Sequence, residues 1–230
     1  MKKKILITIL VVVTLVIGAV IILKKQSDQF QADADRARLE HLVYWTGLFE
    51  AYHAKTGHYP LQDRLTEDKP GLVRIATRDQ QKYFDPQSPK YLARDDNNPG
   101  GTYFQEFPVK DLVRELSAGL GRKIDEKYEI QSHPYLVPLY YAYFPTREGY
   151  LMWVSCVSCG VTNISTMLMD GSVATVNIAS PAMAPKVEKA LTRDAMLAHP
   201  TFQRWMAVPY AKEGFVRARE NAYLHDSDDR

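Results

Sequence analysis

Between two lysine clusters, Lys2-Lys3-Lys4 and Lys24-Lys25, the chain is apolar without interruption from Ile5 to Leu23. Fifteen of those nineteen residues are Ile, Leu or Val. As a helix the run spans roughly 28 Å, close to the thickness of a bilayer's hydrocarbon core. Its insertion is favoured by on the order of −6 kcal/mol. No proline stops the pattern, which passes into an amphipathic stretch. There Leu39, Leu42, Val43, Trp45, Phe49 and Tyr52 recur at helical spacing, and Arg36, Arg38, Glu40 and Glu50 are assigned to the other side. Gly57 is placed to close this helix in a left-handed conformation, and Pro60 prevents its restart. The predicted element is one helix over about 56 residues, built first for lipid and then for water. Its wide apolar face needs a surface to lie against.

A cleaved secretory signal would have a shorter apolar core, roughly 7–15 residues, with a small-residue cleavage site close behind. The only such tripeptide, Ala32-Asp33-Ala34, lies well beyond Leu23. The run therefore reads as an uncleaved signal anchor spanning Ile5 to Leu23. Three N-terminal lysines outweigh Lys24-Lys25, which Asp28, Asp33 and Asp35 soon follow. The expected orientation puts the N-terminus in the cytoplasm and the rest of the chain outside.

Residues 61–107 read as loop with short elements, rich in turn chemistry such as Asp85-Pro86 and Ser88-Pro89. A short amphipathic helix follows, with Pro108 in its first turn, Val109, Leu112, Val113 and Leu116 inward, and Gly119 at its end. Strands are expected at Leu136–Phe144, Tyr150–Val157, Asn163–Met169 and Ser172–Ile178. Thr146-Arg147-Glu148-Gly149, Ser158-Cys159-Gly160 and Asp170-Gly171 are the turns between them, which makes an antiparallel meander of about four strands. Beyond Ser180 the pattern is helical again, over Lys186–Leu197, Thr201–Met206 and Tyr210–Leu224. The expected fold class is α+β: a transmembrane helix continuing as a stem packed on the meander, with extra C-terminal helices. Residues 1–25 form the lysines and anchor, 26–179 the α+β domain, and 180–230 the helical extension.

Formal net charge is +2, but the anchor flanks hold five lysines. Without them, 24 basic residues face 27 acidic ones. No basic stripe with interleaved aromatics appears, so nucleic acid is not an expected partner. Cys156 and Cys159 are the only cysteines. A disulfide stapling the hairpin, a reduced buried pair, and a redox or metal role all remain open for them. Asp95-Asp96-Asn97-Asn98 brings hard oxygen donors close together, as calcium prefers, although the spacing is not an EF-hand and a solvated turn is the other reading. His41, His53, His58, His133, His199 and His225 are scattered. Neither a nucleophile elbow, a phosphate-binding glycine loop nor a zinc-protease motif occurs, so no enzymatic role is expected.

The stem's end, Leu48-Phe49-Glu50-Ala51-Tyr52-His53-Ala54-Lys55-Thr56-Gly57-His58-Tyr59-Pro60, resembles the helix end of major pseudopilins of type II secretion and related type IV pilin-like proteins. Met167-Leu168-Met169-Asp170-Gly171-Ser172-Val173 is similar to a hairpin found late in many bacterial pilin-like domains. The layout of the first 60 residues and about a dozen residues by motif carry the likeness. It implies a pilin-like roll and raises the interest of the acidic loop, since major pseudopilins hold calcium in a late loop. The lysines run directly into Ile5, Gly18 lies mid-run, and no acidic residue interrupts the span. These departures from the prepilin pattern imply a pilin-like stem that stays anchored.

The expectation is a single-pass protein of the bacterial inner membrane, with its main domain in the periplasm or outside. Its role would be structural, in assembly, or accessory to secretion, with the lipid bilayer and other envelope proteins as partners. Leu42, Trp45, Phe49 and Tyr52 would make lateral contacts where the sheet leaves them uncovered. The alternative is a membrane-tethered binding or thiol-redox domain using Cys156 and Cys159.

Overall fold

The computed structural model describes residues 2–66, 69–92, 103–130, 140–156, 165–168, 174–214 and 216. Helix α1 runs from Lys2 to Thr56 without a break. Fifty-five residues give it a length of about 80 Å. It stops where predicted: Gly57 adopts φ 82° and its N–H donates to the His53 carbonyl at 2.8 Å.

The protein is α+β. Strands β1 (Gly71–Ile75), β2 (Gln105–Glu106), β3 (Tyr141–Thr146), β4 (Gly149–Cys156), β5 (Ser165–Leu168) and β6 (Ala174–Ala179) form one mixed sheet in the order β2-β1-β3-β4-β6-β5. Five strands pair antiparallel, and the two-residue β2 adds to β1 in parallel.

Two sequence expectations change here. Strand β1 falls inside the stretch expected to be loop and sits within the sheet, with Val73 opposite Tyr143. The last strands are not a simple meander either. Strand β6 pairs with β4 over six residues, from Leu151↔Ala179 to Cys156↔Ala174, which leaves β5 at the edge. The expected turn residues Ser158-Cys159-Gly160 and Asp170-Gly171 lie outside the described residues, as do Pro138 and the beginning of the expected first strand.

Alternation along the strands sends Val73, Ile75, Tyr141, Tyr143, Tyr150, Met152, Val154, Val176 and Ile178 to one buried face. The stem supplies the other wall. Phe49 packs its ring 4.2 Å from Tyr143 and 5.4 Å from Tyr150, centroid to centroid. Helix α2 (Pro89–Leu92) is a single turn. Helix α3 (Val109–Leu120) closes the core from the side with Val109, Leu112 and Leu116 buried.

The end of α3 corrects a reading of its glycines. Gly121, at φ 69°, is the left-handed cap. Gly119 lies inside the helix, where a Cβ would come within 2.2 Å of the Tyr52 ring. Its role is to let α3 approach the stem.

Past Ser180 the helices are shorter than the periodicity suggested. Leu191 bridges in parallel to Ile178 at the sheet, so the expected helix Lys186–Leu197 cannot run through it, and only a 3-10 turn, Ala184–Lys186, precedes it. Helix α4 (Arg193–Ala198) starts at Thr192, whose side chain accepts from the Ala195 N–H at 3.2 Å. Helix α5 (Pro200–Met206) follows, with Pro200 in its first turn. Met196 and Phe202 belong to the main core, so this region packs with the domain. The third expected helix, Tyr210–Leu224, lies largely outside the described residues.

Candidate functional site

The stem divides into two physically different halves. From Ile7 to Leu23 its large apolar side chains are exposed, and none of the most apolar 18-residue window is covered by the rest of the protein. By length and composition this is one helix able to cross a membrane, near the N-terminus. Past Gln31 the same helix is enclosed. Asp33, Ala34, Asp35, Ala37, Arg38 and Leu39 are all buried, as are His41, Leu42, Trp45, Thr46, Leu48 and Phe49. Such near-consecutive positions point in every direction around a helix, so the stem is the axis of the domain and not a helix laid on its surface.

Enclosure forces the stem's polar residues to find partners. Arg38 is fully buried and lies on the same stripe as Leu42, Trp45, Phe49 and Tyr52, not on the solvent side as its charge suggested. Its Nε donates to Glu129 Oε1 at 2.5 Å, Nη1 to the Asp35 carboxylate, and Nη2 to the Ile130 carbonyl. Burial opposes the guanidinium charge, but Glu129 and Asp35 outweigh it and hold Arg38 more firmly protonated than usual. Burial pushes Glu129 above the ordinary carboxylate range, with Arg38 pulling against it. One guanidinium thus serves two buried carboxylates. One turn on, His41 Nδ1 lies 3.1 Å from the Tyr128 carbonyl and 2.9 Å from the Tyr141 hydroxyl. Trp45 Nε1 donates to the Lys127 carbonyl at 2.8 Å. Segment 125–130 is therefore tied to the stem rung by rung.

A second collar closes the membrane-side end. Arg36 donates to the Met206 carbonyl at 2.8 Å and lies 4.2 Å over the Tyr210 ring. Asp33 accepts from the backbone N–H of Ala211 at 3.1 Å and from that of Lys212. Ala34, Ala37, Ile130 and Val216 pack together beneath this segment.

At the far end two carboxylates hold the helix exit. Glu50 accepts from the Tyr150 hydroxyl at 2.9 Å and the Tyr59 hydroxyl at 3.3 Å. Glu115 accepts from the Leu61 N–H at 2.6 Å and the Tyr52 hydroxyl at 3.2 Å. Burial, reinforced by Glu115, pushes the Tyr52 hydroxyl up to about 12. Burial and Glu50 raise Tyr59 and Tyr150 further. These tyrosines stay protonated and act as hydrogen-bond donors.

The residues expected to meet a partner are placed otherwise. Leu42, Trp45 and Phe49 are completely buried and Tyr52 nearly so, because the sheet and α3 leave none of them uncovered. Their apolar face is spent within the chain. Cys156 ends β4 and is fully buried, while Cys159 lies outside the described residues. Asp95, Asp96, Asn97 and Asn98 also lie outside them. Among the described residues no group of three or more His, Cys, Asp or Glu side chains could hold a metal ion.

Neither the buried Arg38–Glu129 pair nor the Glu50 and Glu115 caps was singled out from sequence. A signal for the first did exist, since an arginine on an apolar stripe needs a buried partner. Comparison of the chain with protein-family models, curated proteins and solved structures gives no match.

Proposed function

We propose that this is a single-pass, membrane-anchored domain with a pilin-like plan, serving assembly, structure or secretion in the bacterial envelope. The observation that carries the reading is a single helix whose large apolar side chains are bare from Ile7 to Leu23 and which has no exposed residue from Gln29 to Glu50. Only the few residues from Lys24 to Asp28 separate the two states. A rigid helix shared by membrane and domain fixes how the domain stands on the bilayer, which suits a structural part. With the stem's apolar face used internally, the surface left for lateral partners within the membrane is the Ile7–Leu23 span. Complete burial of Cys156 favours a structural staple with Cys159 over an exchanging thiol pair.

The test is fractionation. The full chain is expected in membranes and resistant to alkaline carbonate, with its intact N-terminus detected by mass spectrometry. A chain lacking residues 1–25 is expected to be soluble and folded. A full-length chain recovered in the soluble fraction, or cleaved within the apolar run, would overturn the anchor. Co-purification of other envelope proteins with the full chain, lost when the span is exchanged for an unrelated one, tests the assembly role.

A further inference from the structure

A cavity of about 450 Å³ opens beside segment 123–130, bordered by Arg78, Lys123, Ile124, Asp125 and Glu126. That size lies within the range of small-molecule sites, roughly 300–1,000 Å³. Its lining holds two cations and two carboxylates, which would suggest neutrality, but the four are not equally available. Asp125 is paired with Lys127 at 2.9 Å. Glu126 accepts the Tyr128 hydroxyl. Arg78 and Lys123, by contrast, form no ion pair among the described residues.

Arg78 is also held in place. Its guanidinium carbon lies 4.4 Å over the Tyr128 ring, and its Nε is buried with no hydrogen-bond partner. A buried donor left unpaired is costly, and a planar guanidinium fixed on a ring keeps its fork ready for a carboxylate or phosphate. Ile124, buried at the lining, supplies an apolar wall. Of the lining charges, Asp125 is balanced by Lys127 and Glu126 holds a hydroxyl, while no carboxylate among the described residues pairs with Arg78 or Lys123.

We propose that this cavity binds an oxyanion, the phosphate or carboxylate group of a soluble ligand, with Arg78 and Lys123 as its donors. A bilayer headgroup is out of reach. The Tyr44 hydroxyl donates to the Asp125 carbonyl at 2.8 Å, so the cavity stands level with Tyr44 on the stem. That is about 30 Å along the helix beyond Leu23. The site does not depend on the anchor, and its failure would leave the anchor reading untouched.

Titration calorimetry on the full chain in detergent tests it, with inorganic phosphate in one arm and citrate in the other. Saturable binding to at least one probe is expected, weaker at higher sodium chloride. Tighter binding of phosphate or of citrate identifies the preferred group. Arg78→Gln and Lys123→Gln should each weaken it about tenfold, and Arg78→Lys, which keeps the charge, less. Circular dichroism confirms folding, and should Arg78→Gln unfold by losing its stack on Tyr128, Lys123→Gln alone decides. No saturable binding of either probe, or wild-type affinity in folded Lys123→Gln, would overturn the proposal.

Discussion

Arg38 and Glu129 stand 91 positions apart in the chain and meet through Nε and Oε1 at 2.5 Å, both fully withdrawn from water. The pair closes segment 125–130 onto the stem just beyond the point where the helix leaves its bare span. Two buried charges held this way are weak evidence for net stability but strongly specify one arrangement. Neither is tolerated without the other.

Removing one partner should therefore cost more than removing both. Arg38→Met leaves Glu129 and Asp35 buried without the guanidinium they share and is expected to lose about 3–5 kcal/mol of unfolding free energy. The double change Arg38→Met with Glu129→Leu should lose clearly less, since it leaves only Asp35 to be accommodated. Urea denaturation of the chain lacking residues 1–25 measures both.

The same pair sets a pH dependence. Burial raises Glu129 above its ordinary value of 4.5, so the folded state binds a proton there more readily than the unfolded chain. That contribution to stability is fully present below about pH 4.5 and is lost as pH rises through the raised folded value. Relative to wild type, Glu129→Gln should flatten the fall in unfolding free energy over that window. Parallel pH profiles for the two proteins would exclude Glu129 as the responsible group.

Gly119→Ala separates helix propensity from packing. Inside a helix alanine is favoured over glycine by about 1 kcal/mol. Here the added Cβ would reach the Tyr52 ring at 2.2 Å, and that ring is pinned between stem and α3 by its bond to Glu115. Overpacking of this kind costs about 1–3 kcal/mol, so the net effect should be a lowered melting temperature. A raised one would show that Tyr52 can move aside.

What was legible in the sequence was local. The apolar span, the stem's periodicity and the Gly57 exit depend on neighbours within a few residues, and each is found where expected. Strand β1 was not legible, because Gly71–Ile75 is five residues amid turn chemistry and becomes a strand by pairing with β3 about seventy positions later. The order β4-β6-β5 likewise comes from long-range pairing, which no hairpin motif reveals. Trp45 and Phe49 were rightly read as one face, but whether a sheet of this chain or another protein covers that face is not encoded in its spacing. Arg38 shows the same limit in reverse: its charge suggested solvent, while its place on the stripe and Glu129 decided otherwise.

Covering that face internally has a direct consequence. Trp45→Ala and Phe49→Ala should each destabilise the domain by about 3–5 kcal/mol, as buried aromatic truncations do, while membrane insertion is unchanged because the span lies elsewhere. Denaturation of the chain lacking residues 1–25, beside carbonate extraction of the full chain, reads the two effects separately. Wild-type stability in either variant would mean that the truncated ring is not part of the buried core.

Asp33 offers the most localised test of how the stem is enclosed. Its carboxylate holds two successive backbone N–H groups, of Ala211 and Lys212, beside the Arg36 contacts to Met206 and Tyr210. Asp33→Ala removes both bonds at a cost of about 1–3 kcal/mol, confined to the collar because the sheet and α3 pack against other parts of the stem. Limited trypsin digestion should therefore cut after Lys212 markedly faster in the variant, while the fragments from the sheet appear at the wild-type rate. Uniform acceleration at all sites would show that the collar unfolds only with the whole domain. An unchanged rate at Lys212 would show that the backbone there is held by something other than Asp33.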